Sequence, residues 1–223
     1  MDVCPSILEY KDEDYIVTIK KLTPYYQYFQ IDFADGTYVD NKTSSLDGFI
    51  KIAKETNSQI FAGIVFDFHL MIKDYEEYLK KLEELKKIIT IKNVFIHFDL
   101  HPEYVVLDTK YSFSIGLVIS PYDQIDDLGL RYNLNIIPAI QIMSIIPGAQ
   151  GKPFMPETLN KIEQLRKLGY RNKIYLDGAV NEKTLPIINS QKYKPDYVCP
   201  GSYLAKSPDG ELKKRVDYLL SFK

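Results

Sequence analysis

With 28 basic and 30 acidic side chains and 45% hydrophobic residues, the 223-residue chain has the balance of one globular domain, and its charge gives no reason to expect nucleic acid as a partner. It contains no run of the ~18 apolar residues that a membrane span needs and no leader-like start, so we expect a cytoplasmic protein that has no membrane partner. Cys4 and Cys199 are the only cysteines, which excludes a disulfide framework and a cysteine-based metal cluster.

Eight short runs rich in Val, Ile, Phe and Tyr have the composition of β-strands and alternate with helical segments. The strongest helical stripe spans residues 73–89, and a second helix is predicted to start at Pro156 and to end at Gly169, where glycine takes a left-handed conformation easily. Asn181 and Asp209 are predicted N-caps of the last two helices. The predicted strands are residues 3–8, 28–34, 60–68, 94–98, 113–119, 139–145, 173–177 and 196–201.

This alternation predicts a parallel sheet, and eight is the number of strands that closes a (β/α)8 TIM barrel. We therefore predict a single-domain α/β barrel over residues 1–223, without a linker or a low-complexity tract. The alternative is an open doubly wound sheet. It lacks its main support, because no Gly-x-Gly-x-x-Gly motif follows the first strand.

In a TIM barrel the catalytic groups lie at the carboxyl ends of the strands, and in this chain those ends are polar. Two of them combine an aspartate with a nearby glycine, and a pair of carboxylates at one rim can move a proton on and off a carbon. Any one such residue is as often a turn former or a helix cap, so their co-occurrence is what indicates catalysis. The polar strand ends are Ser6, Asp32, Asp67, His69, His97, Asp99, Ser120, Ser144, Asp177 and Ser202.

Glycines in the loops after the last three predicted strands indicate a phosphate site. Such sites in barrels form from the last loops, where backbone N–H groups approach the ligand closely. Gly148, Gly151, Gly178 and Gly201 allow that approach, and Ser202 adds a hydroxyl donor. One glycine turn is a weak signal, but three loops in the right places predict phosphate binding.

Longer motifs follow one another along the chain in a fixed order. Residues 30–41 are similar to a signature of the form His-x-Asp-x-Met-Asp-Gly-x-Phe-Val-Pro-Asn. In this series the chain resembles the ribulose-phosphate 3-epimerase family over essentially its whole length. The other matching segments are Pro5-Ser6-Ile7-Leu8, Asp67-Phe68-His69-Leu70-Met71, residues 116–121, residues 142–148 with Gly151 and Phe154, Asp177-Gly178-Ala179-Val180 and Gly201-Ser202.

The resemblance implies that a phosphorylated ketose, D-ribulose 5-phosphate, is inverted at carbon 3 to give D-xylulose 5-phosphate. It implies that Asp32 and Asp177 act as acid and base on opposite faces of an enediolate, and that they bind a divalent metal (Zn, Mn or Mg) together with His69. A carboxylate alone is too weak a base for a proton beside a carbonyl, so an electrophile must stabilise the enediolate. The implied substrate-binding residues are Ser6, Met71, Met143, Gly148, Gly178, Ala179, Gly201 and Ser202.

One metal-ligand position departs from the family pattern, because Gln30 stands where the family has a histidine. An amide oxygen is a poor zinc ligand. Gln30 is therefore a weak fourth ligand, and three outcomes stay open: three ligands hold the metal, a harder ion such as Mg²⁺ or Mn²⁺ is preferred, or the site is empty. In a fourth interpretation, the Gln30 amide orients the substrate directly.

Other departures lie around the same cavity. Ala34 stands in place of a methionine, which is expected to open space for a longer substrate, and Ala179 stands in place of a glycine. Either His97 or His101 is the counterpart of the family's histidine on the fourth strand. Further differences from the family are Asp40 in place of proline and a less glycine-rich loop containing Ala149, Gln150, Lys152 and Pro153.

Three functions are weighed on this basis. The first is an epimerase with a modified metal site, acting on ribulose 5-phosphate or on a six-carbon ketose phosphate. The second is a catalytically impaired or inactive relative that binds a sugar phosphate. The third is a phosphate-binding barrel with another reaction, against which the sequence offers no strand-end lysine for a Schiff base. A homo-oligomer is expected by association with the family.

Overall fold

The computed structural model describes residues 1–55, 59–208 and 210–222. In this part of the chain, nine parallel strands form one sheet in the order β1-β9-β8-β7-β6-β5-β4-β3-β2. The strands are β1 Asp2–Val3, β2 Ser6–Ile7, β3 Tyr28–Ala34, β4 Val65–Met71, β5 Thr90–His97, β6 Ser114–Ile119, β7 Ala139–Met143, β8 Lys173–Asp177 and β9 Tyr197–Cys199.

Residues 2–7 close this sheet into a barrel, because both halves of the segment are paired. Asp2 of β1 lies opposite Tyr197 of β9, and Ser6 of β2 lies opposite Gln30 of β3. The halves β1 and β2 are therefore one barrel strand, and eight strands complete the ring. The predicted (β/α)8 barrel is confirmed, and the closure rules out the open doubly wound sheet.

Helices connect the strands and cover the outside of the barrel. α3 shows the pattern that positions them: Leu79, Leu82 and Leu85 recur at helical spacing and are buried, while the opposite face carries charge. No helix among the described residues is both long and apolar enough to cross a membrane. The helices are α1 Asp12–Leu22, α2 Leu46–Glu55, α3 Tyr75–Leu85, α4 Tyr104–Lys110, α5 Ile125–Arg131, α6 Asn160–Lys167, α7 Leu185–Asn189, α8 Ser202–Ala205 and α9 Leu212–Leu220.

The predicted strands 28–34 and 173–177 match β3 and β8, whereas the third predicted strand starts too early. Gln59–Phe61 is a 3-10 turn and β4 begins at Val65. Phe61 packs against Phe49 and Phe66 from this turn. The sequence therefore shows an apolar residue there, and apolarity alone does not separate such a turn from a strand. Asp67 was wrongly predicted at a strand end, since β4 continues four residues beyond it to Met71.

Both predicted helices are present with altered ends. The stripe over residues 73–89 is helical only as α3, and turns follow it. The segment from Pro156 starts as a 3-10 turn, Pro156–Leu159, before α6. Gly169 ends it with a φ of +89°, and the Tyr170 N–H donates to the Leu165 carbonyl, as expected for a glycine-terminated helix. The predicted N-cap Asp209 lies outside the described residues.

The lower half of the barrel interior is filled by a polar network around Asp67. Its Oδ1 accepts hydrogen bonds of 2.9 Å from both the backbone N–H and the side-chain amide of Asn93. Its Oδ2 accepts from the Tyr28 hydroxyl, which lies 2.7 Å from the hydroxyl of Tyr175. Since this plug closes the bottom of the barrel, the open space lies above it, at the carboxyl ends of the strands.

Candidate active site

Two aspartates and a histidine meet near the carboxyl ends of β3, β4 and β8. Because side chains alternate along a strand, Asp32 points into the barrel while Ile31 and Phe33 pack outward in the core. His69 lies opposite Asp32, with Nδ1 3.2 Å from Asp32 Oδ1 and 3.8 Å from Asp177 Oδ2. All three side chains are buried, and one ligand-type atom of each lies within 4.8 Å of the others. The fold thus brings the predicted trio together.

The side-chain amide of Gln30 connects the two carboxylates. Its Nε2 donates to Asp32 Oδ1 at 2.9 Å and to Asp177 Oδ2 at 2.7 Å. Its Oε1 faces the thiol of Cys199, whose Sγ lies 3.7 Å away. Gln30 is fully buried, so water does not replace these bonds. Its nitrogen, which cannot coordinate a metal, is the end that faces the acids.

A second amide, from Gln141 on β7, was missed by the sequence reasoning. Its Nε2 donates to Asp177 Oδ2 at 3.1 Å and lies 3.3 Å from His69 Nδ1. Its Oε1 is buried without a hydrogen-bond partner among the described residues. The available signal was the alternation in β7, which places Gln141 on the same face as Met143.

Electrostatics separates the roles of the two acids. Burial and the facing Asp32 carboxylate raise the pKa of Asp177 to about 7, against the opposing effects of His69 and the Gln30 amide. Two buried carboxylates this close resist double ionisation, and the raised pKa lets Asp177 carry a proton near neutral pH in the metal-free protein. One acid and one base side by side are what a proton transfer needs.

The trio fits a divalent cation. Two carboxylate oxygens and one imidazole nitrogen are a normal donor set, and catalytic sites often use three protein ligands with one position left open. The negative charge of the acids and their burial favour a cation further. Gln30 would add its oxygen only if the amide turned over. The described residues therefore contain a group that can hold a metal ion, with Gln30 directed elsewhere.

Of the two candidate histidines at and after the end of β5, His97 joins the site. Its Nε2 lies 3.0 Å from His69 Nε2, and the side chain is fully buried. Burial and the neighbouring His69 hold the pKa of His97 well below its usual value, so this imidazole is neutral. His101 instead occupies an exposed left-handed position with a φ of +52°, away from the residues that line the cavity.

A cavity of about 450 Å³ opens above the trio, a volume suited to a small metabolite. Asp32, His69 and Asp177 lie on its floor, and Leu8 and Met71 form part of an apolar wall. All of the predicted substrate-binding residues line it, namely Ser6, Met71, Met143, Gly148, Gly178, Ala179, Gly201 and Ser202.

The chain directly after Asp177 is held in an unusual conformation. Gly178 has a φ of +115°, and a Cβ there would lie 2.6 Å from Cγ1 of Ile145, so only glycine fits. Ala179 has a φ of +51°, which costs a non-glycine residue about 1–2 kcal/mol. The Ser144 hydroxyl donates to the Gly178 carbonyl at 2.6 Å. Strain of this kind is common where a loop contacts a ligand.

Two further features of the cavity were not predicted. Lys183, Lys206 and Arg215 line the cavity together with Glu182, and Arg215 is paired with Glu211. The two lysines leave a net positive charge that attracts anions. Gln150 lies beside Gly201, and both atoms of its amide are buried without a partner among the described residues. All four residues lie on helices or loops outside the strands, and of them only Gln150 lies in a segment that the sequence analysis had named.

The expected extra space at Ala34 is absent from the cavity wall. Ala34 is buried and packs with Leu8 and Met71, and Tyr38 and Val39 cover the same cluster. Leu8 and Met71 line the cavity, whereas Ala34 is not among the lining residues. The neighbours therefore fill the volume that a longer side chain would occupy.

Solved structures of other barrels share the fold. A mutant tryptophan synthase alpha-subunit from Pyrococcus furiosus has a TM-score of 0.68 and 15% identity, covering 99% of this chain and 98% of its own. A thiamine phosphate pyrophosphorylase from the same organism has a TM-score of 0.62 and 10% identity, covering 98% and 94%. At these identities the likeness extends to the fold alone.

Comparison with known sequences finds relatives that match most of this chain. A relative named ribulose-phosphate 3-epimerase, from Helicobacter pylori, is 26% identical over 219 residues, which are 95% of this chain and 94% of the relative. A relative of the same name from Methanocaldococcus jannaschii is 27% identical over 168 residues, 72% of this chain and 65% of its own. The profile of the ribulose-phosphate 3 epimerase family matches residues 2–204. The chain therefore belongs to the ribulose-phosphate 3-epimerase family of isomerase-class enzymes.

Proposed function

We propose that the protein interconverts D-ribulose 5-phosphate and D-xylulose 5-phosphate by moving a proton at carbon 3. The observation that carries this proposal is the pair of buried acids, Asp32 and Asp177, which reach one cavity from two strands and lie beside His69. The family membership supports the substrate, and the cationic mouth supports a phosphorylated ligand.

Two proton transfers are proposed, with Asp32 as the base and Asp177 as the acid. Asp32 accepts the proton of carbon 3, the electron pair of that C–H bond forms a double bond between carbons 2 and 3, and the π pair of the carbonyl moves onto the oxygen of carbon 2, which gives an enediolate. Protonated Asp177 then delivers its proton to carbon 3 from the opposite face, and the configuration is inverted. Asp32 is left protonated and Asp177 ionised, which is the starting state for the reverse direction. Proton exchange with solvent restores the first state.

The enediolate carries negative charge that must be stabilised. A divalent cation held by Asp32, His69 and Asp177 would supply that stabilisation as a Lewis acid. Zn²⁺ suits the imidazole, whereas Mg²⁺ and Mn²⁺ suit the oxygen-rich remainder. Gln30 contributes by fixing both acids through its amide N–H groups. This fixing keeps each carboxylate aimed at its own face of the substrate.

The rest of the cavity is proposed to bind the two ends of the substrate. Met71 and Met143 give an apolar wall, which lowers the local dielectric constant and strengthens the electrostatic interactions of the acids. The loops at Gly178 and Gly201 are proposed to hold the phosphate, with Lys206 nearby at the mouth. Ser6, at the base of the Gly201 loop, is proposed to bind a substrate hydroxyl.

The test is exchange of the carbon-3 hydrogen of ribulose 5-phosphate with deuterium oxide, followed by NMR, together with formation of xylulose 5-phosphate. We expect both with the wild-type protein in Zn²⁺, Mn²⁺ or Mg²⁺. Asp32→Asn and Asp177→Asn should each lower turnover by more than about 100-fold, because each removes one proton-transfer group. The matched control is Asp40→Asn on the exposed loop after β3, which should leave the rate unchanged. Absence of exchange with all three metals would contradict the proposal.

The substitution at Gln30 favours one second candidate, a relative that binds sugar phosphate without turnover. That protein would be stabilised against heat by ribulose 5-phosphate and by inorganic phosphate, yet would exchange no hydrogen at carbon 3. Appearance of activity only in Gln30→His would support this second function. The packing of Ala34 gives no support to a six-carbon substrate, and comparing five-carbon and six-carbon ketose phosphates in the same assay tests it.

Self-association is a further proposal. Leu130, Val105 and Val106 are large apolar side chains with 87%, 63% and 58% of their surface exposed. They lie on the consecutive helices α4 and α5, where exposed apolar residues could form a contact between copies. Size-exclusion chromatography with light scattering should show a mass above that of the 25.9 kDa chain. A monomer at all concentrations would contradict it.

A further inference from the structure

Cys199, the last residue of β9, lies directly behind the amide that connects the two acids. Its Sγ lies 3.7 Å from Oε1 of Gln30, and both side chains are buried from water. The same amide donates from its other end to Asp32 and Asp177. The thiol therefore contacts the far end of the group that joins the acids, although Cys199 itself lies outside the trio that can hold a metal.

The Gln30 amide has one orientation that suits both of its neighbours. Two acid oxygens face one end of the amide at 2.9 and 2.7 Å, and an amide nitrogen has a hydrogen for each of them, whereas an amide oxygen has none. The oxygen is consequently the end that meets the thiol. Because a carbonyl oxygen only accepts and a thiol has one hydrogen to donate, the S–H of Cys199 is its donor.

The Gln30 oxygen depends on this donor. Within the described part of the chain, no second donor lies in hydrogen-bond range of Oε1, and the side chain is closed to water. Cys199 itself packs in a cluster with Cys4, Phe95 and Met143. A purely apolar side chain at position 199 would therefore leave a buried carbonyl oxygen without a partner, which is unfavourable.

The contact with the thiol also limits how the amide can move. Both bonds to the acids leave from one atom of Gln30, Nε2, and a group held at one atom pivots about it. A second contact at the opposite end, Oε1, fixes the plane of the amide and with it the directions of the two N–H bonds. Catalytic side chains are commonly held in place by such a supporting hydrogen bond.

We propose that Cys199 is a positioning residue: its S–H donates to Oε1 of Gln30, fixes the plane of that amide and thereby keeps Asp32 and Asp177 in place. The inference rests on the proposed function in one respect, that the acids held by Gln30 transfer protons. The signature that residues 30–41 resemble has histidine at the position of Gln30. A glutamine there brings an oxygen that needs a donor, and Cys199 supplies it.

Three substitutions separate the hydrogen bond from the packing. Cys199→Ala removes the donor, and Cys199→Ser replaces it with a hydroxyl donor. The matched control is Cys4→Ala, because Cys4 is buried in the same apolar cluster. Its truncation opens a cavity of similar size and leaves the donor to Gln30 in place. Thermal melts establish that each variant is folded before it is compared.

The first measurement is the infrared S–H stretching band, which lies in a region where other protein groups do not absorb. Cys4 and Cys199 are the only cysteines, so in Cys4→Ala the band comes from Cys199 alone. A donating S–H absorbs at lower frequency than a free one. We expect a lower frequency in Cys4→Ala than in the double variant that also carries Gln30→Leu, in which the acceptor is missing. This comparison needs neither metal nor turnover.

The second measurement is the kinetics of the epimerase assay at saturating metal. Cys199→Ala should lower kcat by about 2- to 10-fold, the effect of one hydrogen bond, with the KM for ribulose 5-phosphate nearly unchanged, because Gln30 holds the acids rather than the substrate. Cys199→Ser should recover most of the kcat, and Cys4→Ala should keep the wild-type value. A loss caused by packing alone would instead appear in Cys4→Ala as well.

Three results would overturn the inference. One is an S–H band of Cys199 that does not move when Gln30 is replaced by leucine. The others are a folded Cys199→Ala variant with the kcat of the wild type, and a Cys199→Ser variant no more active than Cys199→Ala. If the wild type showed no epimerase activity, the proposed function would fail, and the infrared comparison would still decide whether the thiol holds the amide.

Discussion

Replacing Gln30 by histidine should exchange hydrogen bonds for metal affinity. Gln30 is fully buried and donates to Asp32 and Asp177 at 2.9 and 2.7 Å. Hydrogen bonds to charged groups contribute about 1.5–3 kcal/mol and neutral ones about 1 kcal/mol. Two hydrogen bonds of these kinds put the loss of stability in the metal-free variant at about 3 kcal/mol. For a chain of this size, that lowers the Tm by roughly 6–12 °C.

Zinc should reverse the loss. An imidazole at position 30 adds a nitrogen donor beside Asp32, His69 and Asp177, which completes a four-ligand site. We expect zinc affinity to rise by at least about tenfold, a gain of about 1.4 kcal/mol in binding. At a free zinc concentration of about 100 times Kd, binding would stabilise the folded state by about 2.7 kcal/mol. That nearly offsets the two missing hydrogen bonds.

The matched control is Gln30→Leu, which removes the amide without adding a ligand. Thermal melts in chelator measure the loss of the hydrogen bonds. Melts in zinc, together with chelator competition for the Kd of zinc, measure the gain in metal binding. Both variants should melt lower than wild type in chelator, and Gln30→His should recover more in zinc than Gln30→Leu, which keeps only the three ligands of the trio. The reasoning is refuted if the histidine variant binds zinc no more tightly than the leucine variant, or if both melt like wild type in chelator.

Three other substitutions test the backbone and the polar plug. Ala179→Gly should raise the free energy of unfolding by about 0.5–1 kcal/mol in urea titrations, because relief of the left-handed strain exceeds the added chain entropy; a loss of stability would contradict this. Gly178→Ala should destabilise the protein and weaken sugar-phosphate binding in calorimetry, because its Cβ meets Ile145; unchanged binding would contradict it. Burial raises the pKa of Asp67 to about 6 from 3.8. The folded state therefore holds this proton up to higher pH than the unfolded state, and the stability it contributes below pH 4 is lost as the pH rises to 6. In Asp67→Asn the free energy of unfolding should therefore fall by about 3 kcal/mol less than in the wild type between pH 4 and 7. Urea titrations over this range that show the same pH dependence in both proteins would contradict the prediction.

The barrel was predictable because its signal is repeated. Eight apolar runs alternating with amphipathic segments leave few topologies for a parallel sheet, and local errors do not change the count. The wrong start of β4 was a local error. Phe61 packs on the core from a turn, and nothing in the sequence marks that turn as outside the strand. Asp67 was consequently placed at the rim, although it lies in the plug below the site.

The members of the site were predictable to the extent that they lie at strand ends in a known order. Their orientation was not. Whether Gln30 presents its nitrogen or its oxygen to the acids depends on Cys199, which is distant in sequence and adjacent in the barrel. Gln141 lies one strand away from Asp177, and only the register of β7 and β8 brings its amide there. Such contacts depend on the closed ring, which composition and spacing do not describe.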